Sequence, residues 1–250
     1  MIPFRNSDDE RPLTARSVLL STLLGAHPPE LPARVLVRSG ELFGIAEGTV
    51  RVALSRMQAA GEVVRTDGRY RLAGRLLERQ ARQDESRRPA LRKWRGDWTV
   101  AVVTAEGRTA SGRVALRAAM RDLRMAELRE GVWLRPANLR LPRGEETQCT
   151  WFTARPEEDA TALAGRLWDL GSWAARADEL SKRIRRLRLG DADALAPGFV
   201  LSAAVLRHLQ ADPLLPHSLL PDNWPGTVLR EEFDRYDAAF LAAWRSFMTR

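Results

Sequence analysis

Across residues 34–73 two apolar stripes at helical spacing are broken by glycine and followed by a hairpin signal, and no other stretch limits the fold as much. Val35, Leu36 and Val37 precede Gly40 and Gly44; then Val50, Leu54, Met57 and Gly61 recur at three- and four-residue intervals. That spacing puts the second set on one helix face, turned to a core. Gly48, Thr49, Arg51, Val52, Ser55 and Arg56 are left outward. Beyond Gly61, residues 62–65 and 69–72 flank Thr66, Asp67 and Gly68, and Asp-Gly adopts positive φ at little cost, which predicts a hairpin. Helix, glycine turn, helix, glycine stop and hairpin is the order of parts in a winged helix-turn-helix. The outward face of the second helix suits a DNA major groove: Thr49 and Ser55 donate or accept hydrogen bonds, and Arg51 and Arg56 reach guanine edges or phosphates. Arg65, Arg69 and Arg71 fall on or beside the hairpin, within reach of phosphates or the minor groove.

Charge is distributed as such a module requires. The chain carries a net +8, and of its 40 basic residues only Lys93 and Lys182 are lysine, a bias that a GC-rich genome also produces. The distribution says more than the total: residues 1–13 carry −1, residues 14–95 carry +8 and residues 96–250 carry +1. Positive charge concentrated on the DNA-facing third is the electrostatic footprint of phosphate binding.

A chain of 250 residues with 44% apolar content can bury more than one core, so two or three domains are expected. No apolar run reaches the length of a membrane span, and residues 1–12 lack the basic-then-apolar order of an export signal, so a cytoplasmic protein without membrane association is expected. Cys149 is the only cysteine, which rules out an internal disulfide and a cysteine-rich zinc finger; His27, His208 and His217 are too far apart for a local metal motif. No nucleophile elbow, phosphate loop or zinc signature occurs, so no catalytic residue, metal or cofactor is assigned.

The remaining segments predict an α+β multidomain chain. Residues 1–13 read as a flexible tail, 14–75 as the winged helix-turn-helix with Thr14 capping its first helix, and 76–94 as a linker helix. Within 95–171, a buried strand at 98–103, an amphipathic helix at 110–123 carrying Val114, Leu116, Ala119, Met120 and Leu123, strands near 125–134 and 147–153, and a helix at 157–168 match a ferredoxin-like sandwich. Residues 172–250 read as a helical domain. One of its stripes is Trp173, Ala177, Leu180, Ile184 and Leu187, another is Phe233, Tyr236, Phe240, Ala243 and Phe247, and four prolines hold 212–226 as a packed loop. Trp168, Trp173, Trp224 and Trp244 read as core, and the basic run 182–188 as a solvated face. Asp97, beside the first middle-domain strand, is the one place where a metal-dependent nuclease would centre; this is the alternative to DNA-binding repression.

Four stretches in order resemble the PaaX family of transcriptional repressors: Ala15 to Gly25, Thr49 to Met57, Gly131-Val132-Trp133-Leu134-Arg135-Pro136-Ala137-Asn138-Leu139, and Asp212-Pro213-Leu214-Leu215-Pro216 through Trp224-Pro225-Gly226. The resemblance covers nearly the whole chain. It implies a homodimeric repressor of a catabolic operon bound to a double-stranded DNA operator, with a winged helix, a Cas2-like ferredoxin-fold middle domain and a helical C-terminal domain. It also implies relief of repression by an acyl-coenzyme A effector such as phenylacetyl-coenzyme A, for which no pocket residues are assigned. The hairpin here is shorter than is common in the family, and 61–64 lacks the usual aromatic.

Overall fold

A computed structural model describes residues 5–6, 9–105, 109–141, 148–189 and 192–249. Of the tail expected at 1–13, residues 1–4 and 7–8 lie outside the described set, as does Thr147 of the expected strand; β1 (Arg5–Asn6) and β2 (Asp9–Pro12) pair antiparallel. Helix α1 (Ala15–Leu24) opens on a reciprocal cap: Thr14 Oγ1 accepts from the Ser17 amide at 3.1 Å, and Ser17 Oγ accepts from the Thr14 amide at 2.9 Å. Strand β3 (Glu30–Pro32), α2 (Ala33–Glu41), α3 (Glu47–Ala59), β4 (Val63–Thr66) and β5 (Arg69–Leu72) follow. Leu19, Leu23, Leu36, Val50, Leu54, Met57, Val63 and Leu72 form their common core.

The small sheet has the order β3-β5-β4, and its third strand goes beyond the hairpin that the sequence pattern announces. Strand β3 is three residues long, follows Pro29 and ends on Pro32, so no alternation marks it. At a sheet edge, however, proline forfeits no ladder bond. Helix α4 (Arg75–Arg87) buries a polar face of Gln80, Gln83 and Ser86, and Gln80 Nε2 donates to the carbonyls of Leu24 and Ala26 at 2.9 Å each. Hydrogen bonding to the open end of α1 replaces apolar burial there.

A second sheet comprises β6 (Trp98–Val103), β7 (Ala126–Arg129), β8 (Val132–Pro136) and β9 (Cys149–Ala154), antiparallel throughout in the order β7-β8-β6-β9. Helix α5 (Ala110–Asp122) links β6 to β7 with β8 lying between them, a split βαβ unit. Alternation along β6 divides two cores: Ala101 faces Met120, Met125, Trp133 and Cys149, while Trp98 faces Leu134, Leu163 and Leu170. Helix α6 (Ala160–Leu167) follows β9, and among the described residues no helix lies between β8 and β9. On α5 only Leu116, Met120 and Leu123 of the apolar set turn inward; Val114 is 69% exposed and Ala119 is exposed, because both fall off that stripe's helical period.

Helices α7 (Leu170–Arg186), α8 (Leu195–Gln210) and α9 (Gly226–Thr249) complete the chain. Two compact units result. One joins Met1–Arg87 to Asp178–Gln210 and Val228–Arg250; the other joins Arg88–Ala177 to Ala211–Thr227. In the first unit a run of rings passes from Phe43, in the α2–α3 turn, to Phe199 on α8, then along α9 through Trp244, Phe240, Tyr236 and Phe233, with centroids 5.1–6.2 Å apart. Gly198 permits that helix contact, since a Cβ there would meet Phe240 and the Tyr236 hydroxyl at 3.0 Å. The Tyr236 hydroxyl donates to the Gly198 carbonyl at 2.8 Å, and burial pushes its pKa up. None of the described helices is long and apolar enough to cross a membrane.

Candidate nucleic-acid interface

Helix α3 stands where it does because of one glycine. A Cβ on Gly40 would lie 2.4 Å from Val50 Cγ2, so α2 and α3 approach backbone to side chain at that point. The intervening turn closes through the Ile45 amide on the Gly40 carbonyl at 3.0 Å and through Gly44 at φ 70°. Val50, Leu54 and Met57 are then buried, and Gly48, Thr49, Arg51, Val52, Ser55 and Arg56 are all exposed. Arg51 Nε donates to Glu47 Oε1 at 2.7 Å, one turn earlier on the same helix. Arg56 has no hydrogen-bond or ionic partner among the described residues.

In the hairpin the register is Val63↔Leu72, Val64↔Arg71, Arg65↔Tyr70 and Thr66↔Arg69, closed by Asp67 at φ 49° and Gly68 at φ 73°. Strand alternation therefore separates the three arginines. Arg69 and Arg71 share the outer face with Val64 and Thr66; Arg65 lies on the other, its guanidinium 5.7 Å from the centre of the Tyr70 ring. Arg69 pairs with Glu30 of β3, and Arg16 of α1 pairs with Glu62, which lifts its pKa. The Glu47 partner was readable from its four-residue spacing to Arg51. The Glu30 partner, 39 residues from Arg69, was not. On α4, desolvation and then the charges of Arg16, Arg82 and Arg207 push the Arg79 guanidinium down, a mark of how densely positive charge is set in this unit.

In the second unit, Asp97 accepts from Arg155 Nε at 2.6 Å, and no group of three or more His, Cys, Asp or Glu side chains among the described residues is placed to hold a metal ion. Nothing here favours a nuclease. The tryptophans divide: Trp173 stacks on Trp224 at 4.6 Å and Trp98 on Trp168 at 6.4 Å, while Trp244 belongs to the ring series of the first unit. A cleft of about 330 Å³ opens beside Trp168, lined also by Thr161, Gly165, Leu170, Leu219 and Leu220. Asp169 at its rim accepts from the Ser172 amide at 3.0 Å, and that bond lowers its pKa.

Residues 14–76, which carry α1 to α3 and the three-stranded sheet, match the model of the PaaX-like protein family, and residues 168–250 match that of the PaaX-like protein C-terminal domain. The chain belongs to the PaaX-like family. It is also similar to a solved structure, the uncharacterised protein Rv0674 from Mycobacterium tuberculosis, at 44% identity and a TM-score of 0.73, over 94% of this chain and 98% of that one. No curated protein matches it. The usual role of PaaX-like proteins is transcriptional regulation, and the part of the chain that places α3 and the hairpin is one of the two that match them.

Proposed function

We propose that the chain is a homodimeric, sequence-specific DNA-binding repressor of a catabolic operon, working in the cytoplasm. In this reading residues 14–75 are a winged helix-turn-helix in which α2 and α3 are the two helices of the motif and β4–β5 the wing. Residues 76–94 link it to a ferredoxin-like, Cas2-like middle domain at 95–171 and a helical C-terminal domain at 172–250. The observation that carries the reading is the exposed face of α3, with Thr49, Arg51, Ser55 and Arg56, together with the outward arginines of the hairpin. A groove-entering helix needs an uncovered face that pairs hydrogen-bonding side chains with positive charge, and a wing needs phosphate-reaching cations next to it. Footprinting the purified protein on DNA upstream of its own gene and its neighbours tests this. A pseudo-palindromic footprint with half-sites separated by multiples of about 10 base pairs is expected for a two-fold dimer. A lone half-site, or binding indifferent to sequence, would overturn it.

Release from DNA is assigned to an acyl-coenzyme A, with phenylacetyl-coenzyme A first on the strength of the family. The cleft beside Trp168 is of the size and apolar character that an aryl group fills. An effector that prefers the free protein must weaken operator binding by the factor by which operator weakens effector binding. Operator affinity at fixed salt, with phenylacetyl-coenzyme A, phenylacetate and coenzyme A compared, reads this directly. Gly165 lines the cleft with open space around its Cβ position, so Gly165→Leu should occupy the cleft and abolish the response while leaving operator binding intact.

A further inference from the structure

The exposed face of α3 has a composition that the arginines alone do not explain. At roughly 100° per residue, the direction opposite the buried Val50, Leu54 and Met57 is occupied by Gly48, Val52, Ser55 and Ala59, while Arg51 and Arg56 stand on opposite flanks, each about 70° away. The centre of the face is therefore made of small side chains with Val52 as its apolar branch, and the cations frame it. Val52 is 51% exposed, and no atom lies within 4 Å of the place where a Cβ on Gly48 would be, so nothing of the protein shields this strip. A β-branched residue in an exposed helix position gains little packing within the chain, so the exposed part of Val52 is open to a contact from outside it. Arg51 is paired with Glu47 on one flank, and Arg56 lies on the other. Both flank the strip and leave its centre to the smaller residues.

We propose that Val52 is a sequence-reading residue that packs against the 5-methyl group of a thymine on the major-groove floor, with Gly48 letting the helix approach closely enough. This rests on the DNA-binding reading above. The major groove presents one apolar feature, the thymine methyl, and apolar side chains read it. A carboxylate, a phosphate or a cation gains nothing from the isopropyl group of Val52 itself.

The test is a methyl deletion on the DNA side. Preferred duplexes are selected from a random library with the full-length protein, and each thymine of the selected site is replaced singly by deoxyuridine, which removes the methyl group alone. Wild-type protein should lose about 3- to 10-fold in affinity at one thymine of each half-site, the range expected for burying one methyl group. Val52→Ala should be weakened on the thymine duplex and indifferent to uracil at that position, whereas Arg56→Ala should keep the uracil penalty. Val52→Thr preserves the branched shape and should keep part of it, and equal melting temperatures show that the variants fold alike. A penalty that persists undiminished in Val52→Ala, or the absence of any penalty at every thymine of an enriched site, would sink the assignment alone. Failure to enrich any duplex would instead overturn the DNA-binding reading, and this assignment with it.

Discussion

Arg56 and Arg135 are the same residue in opposite circumstances. Arg56 is exposed on α3 with no partner among the described residues; Arg135, on β8, is fully buried. Its guanidinium donates to the carbonyls of Leu123, Arg124, Pro136, Pro213 and Leu214 at 3.2–3.4 Å and to Asn138 Oδ1 at 3.0 Å. Asn138 Nδ2 in turn donates to the Leu214 carbonyl at 2.8 Å, and the Leu214 amide donates to Asp212 Oδ1 at 2.8 Å. Arg124 donates to the Asp212 carbonyl as well. A chain so rich in arginine gives no functional signal by counting them. The difference lies in how far each guanidinium is satisfied within the protein: Arg135 gives its donors mostly to the protein's own backbone, and Arg56 leaves its donors exposed.

The largest test of this contrast is Arg135→Met. Taking the guanidinium from a buried ring of carbonyls leaves several acceptors without donors, so stability should fall by about 3 kcal/mol or more in urea denaturation. A loss under 0.5 kcal/mol would show that the clip is decorative. Gly40→Ala sits between the two extremes, because the added methyl must displace Val50. A loss of about 1–3 kcal/mol is expected, together with weaker DNA binding as α3 shifts. Unchanged melting and unchanged affinity would mean that α2 and α3 have slack that the close approach denies.

Arg56→Ala should do the reverse of Arg135→Met, leaving stability within about 0.5 kcal/mol. It should cost about 1–3 kcal/mol of operator affinity and relax preference at one base position. Arg71→Ala on the outer face of the hairpin should weaken all sequences alike and lower the slope of log K against log salt by about one unit. Identical behaviour of the helix and hairpin variants in a titration over several salt concentrations would show that reading and positioning are not divided in this way. The smallest effect belongs to Glu47→Gln, which removes about 0.2–0.5 kcal/mol of helix support and releases Arg51. Operator affinity should rise slightly at low salt; a fall would mean that Glu47 orients Arg51 rather than restraining it.

Much of the first module was legible because its signals are local. The Thr14 cap, the stripe of Val50, Leu54 and Met57, and Asp67-Gly68 between alternating residues each act within one or two turns of chain, and α1, α3 and the hairpin form where those signals lie. The stripe Trp173, Ala177, Leu180 and Ile184 is buried for the same reason. On α9 the next buried position after Phe240 is Trp244 rather than Ala243, one step along the helix, because the larger ring meets Phe199 and Phe240. Strand β3 and the polar face of α4 escaped, since neither carries the apolar period by which elements are recognised in a sequence. The candidate site was legible as a list of outward residues but not as a geometry: that Arg65 covers Tyr70, and that Arg69 is held by Glu30, follows from register and packing.

By itself, the sequence determined where α1, α3 and the hairpin form and which stripes α3 and α7 bury, because side-chain period and turn chemistry act on neighbours a few residues apart. Tertiary structure alone decided what distant segments do to one another. It brings α8 and the greater part of α9 into the same unit as α3, so that Phe199 meets Phe43 and Arg87 spans Asp234 and Asp237 at 2.7 and 2.8 Å. Burial works against the Arg87 charge, yet those two carboxylates hold its pKa up. It likewise joins residues 131–139 to 212–216, two motifs that stand far apart in the chain, through the donors of Arg135. Contacts between segments separated by some 75 to 155 positions depend on loop closure and on the shape of a shared core, and no local pattern of residues encodes either.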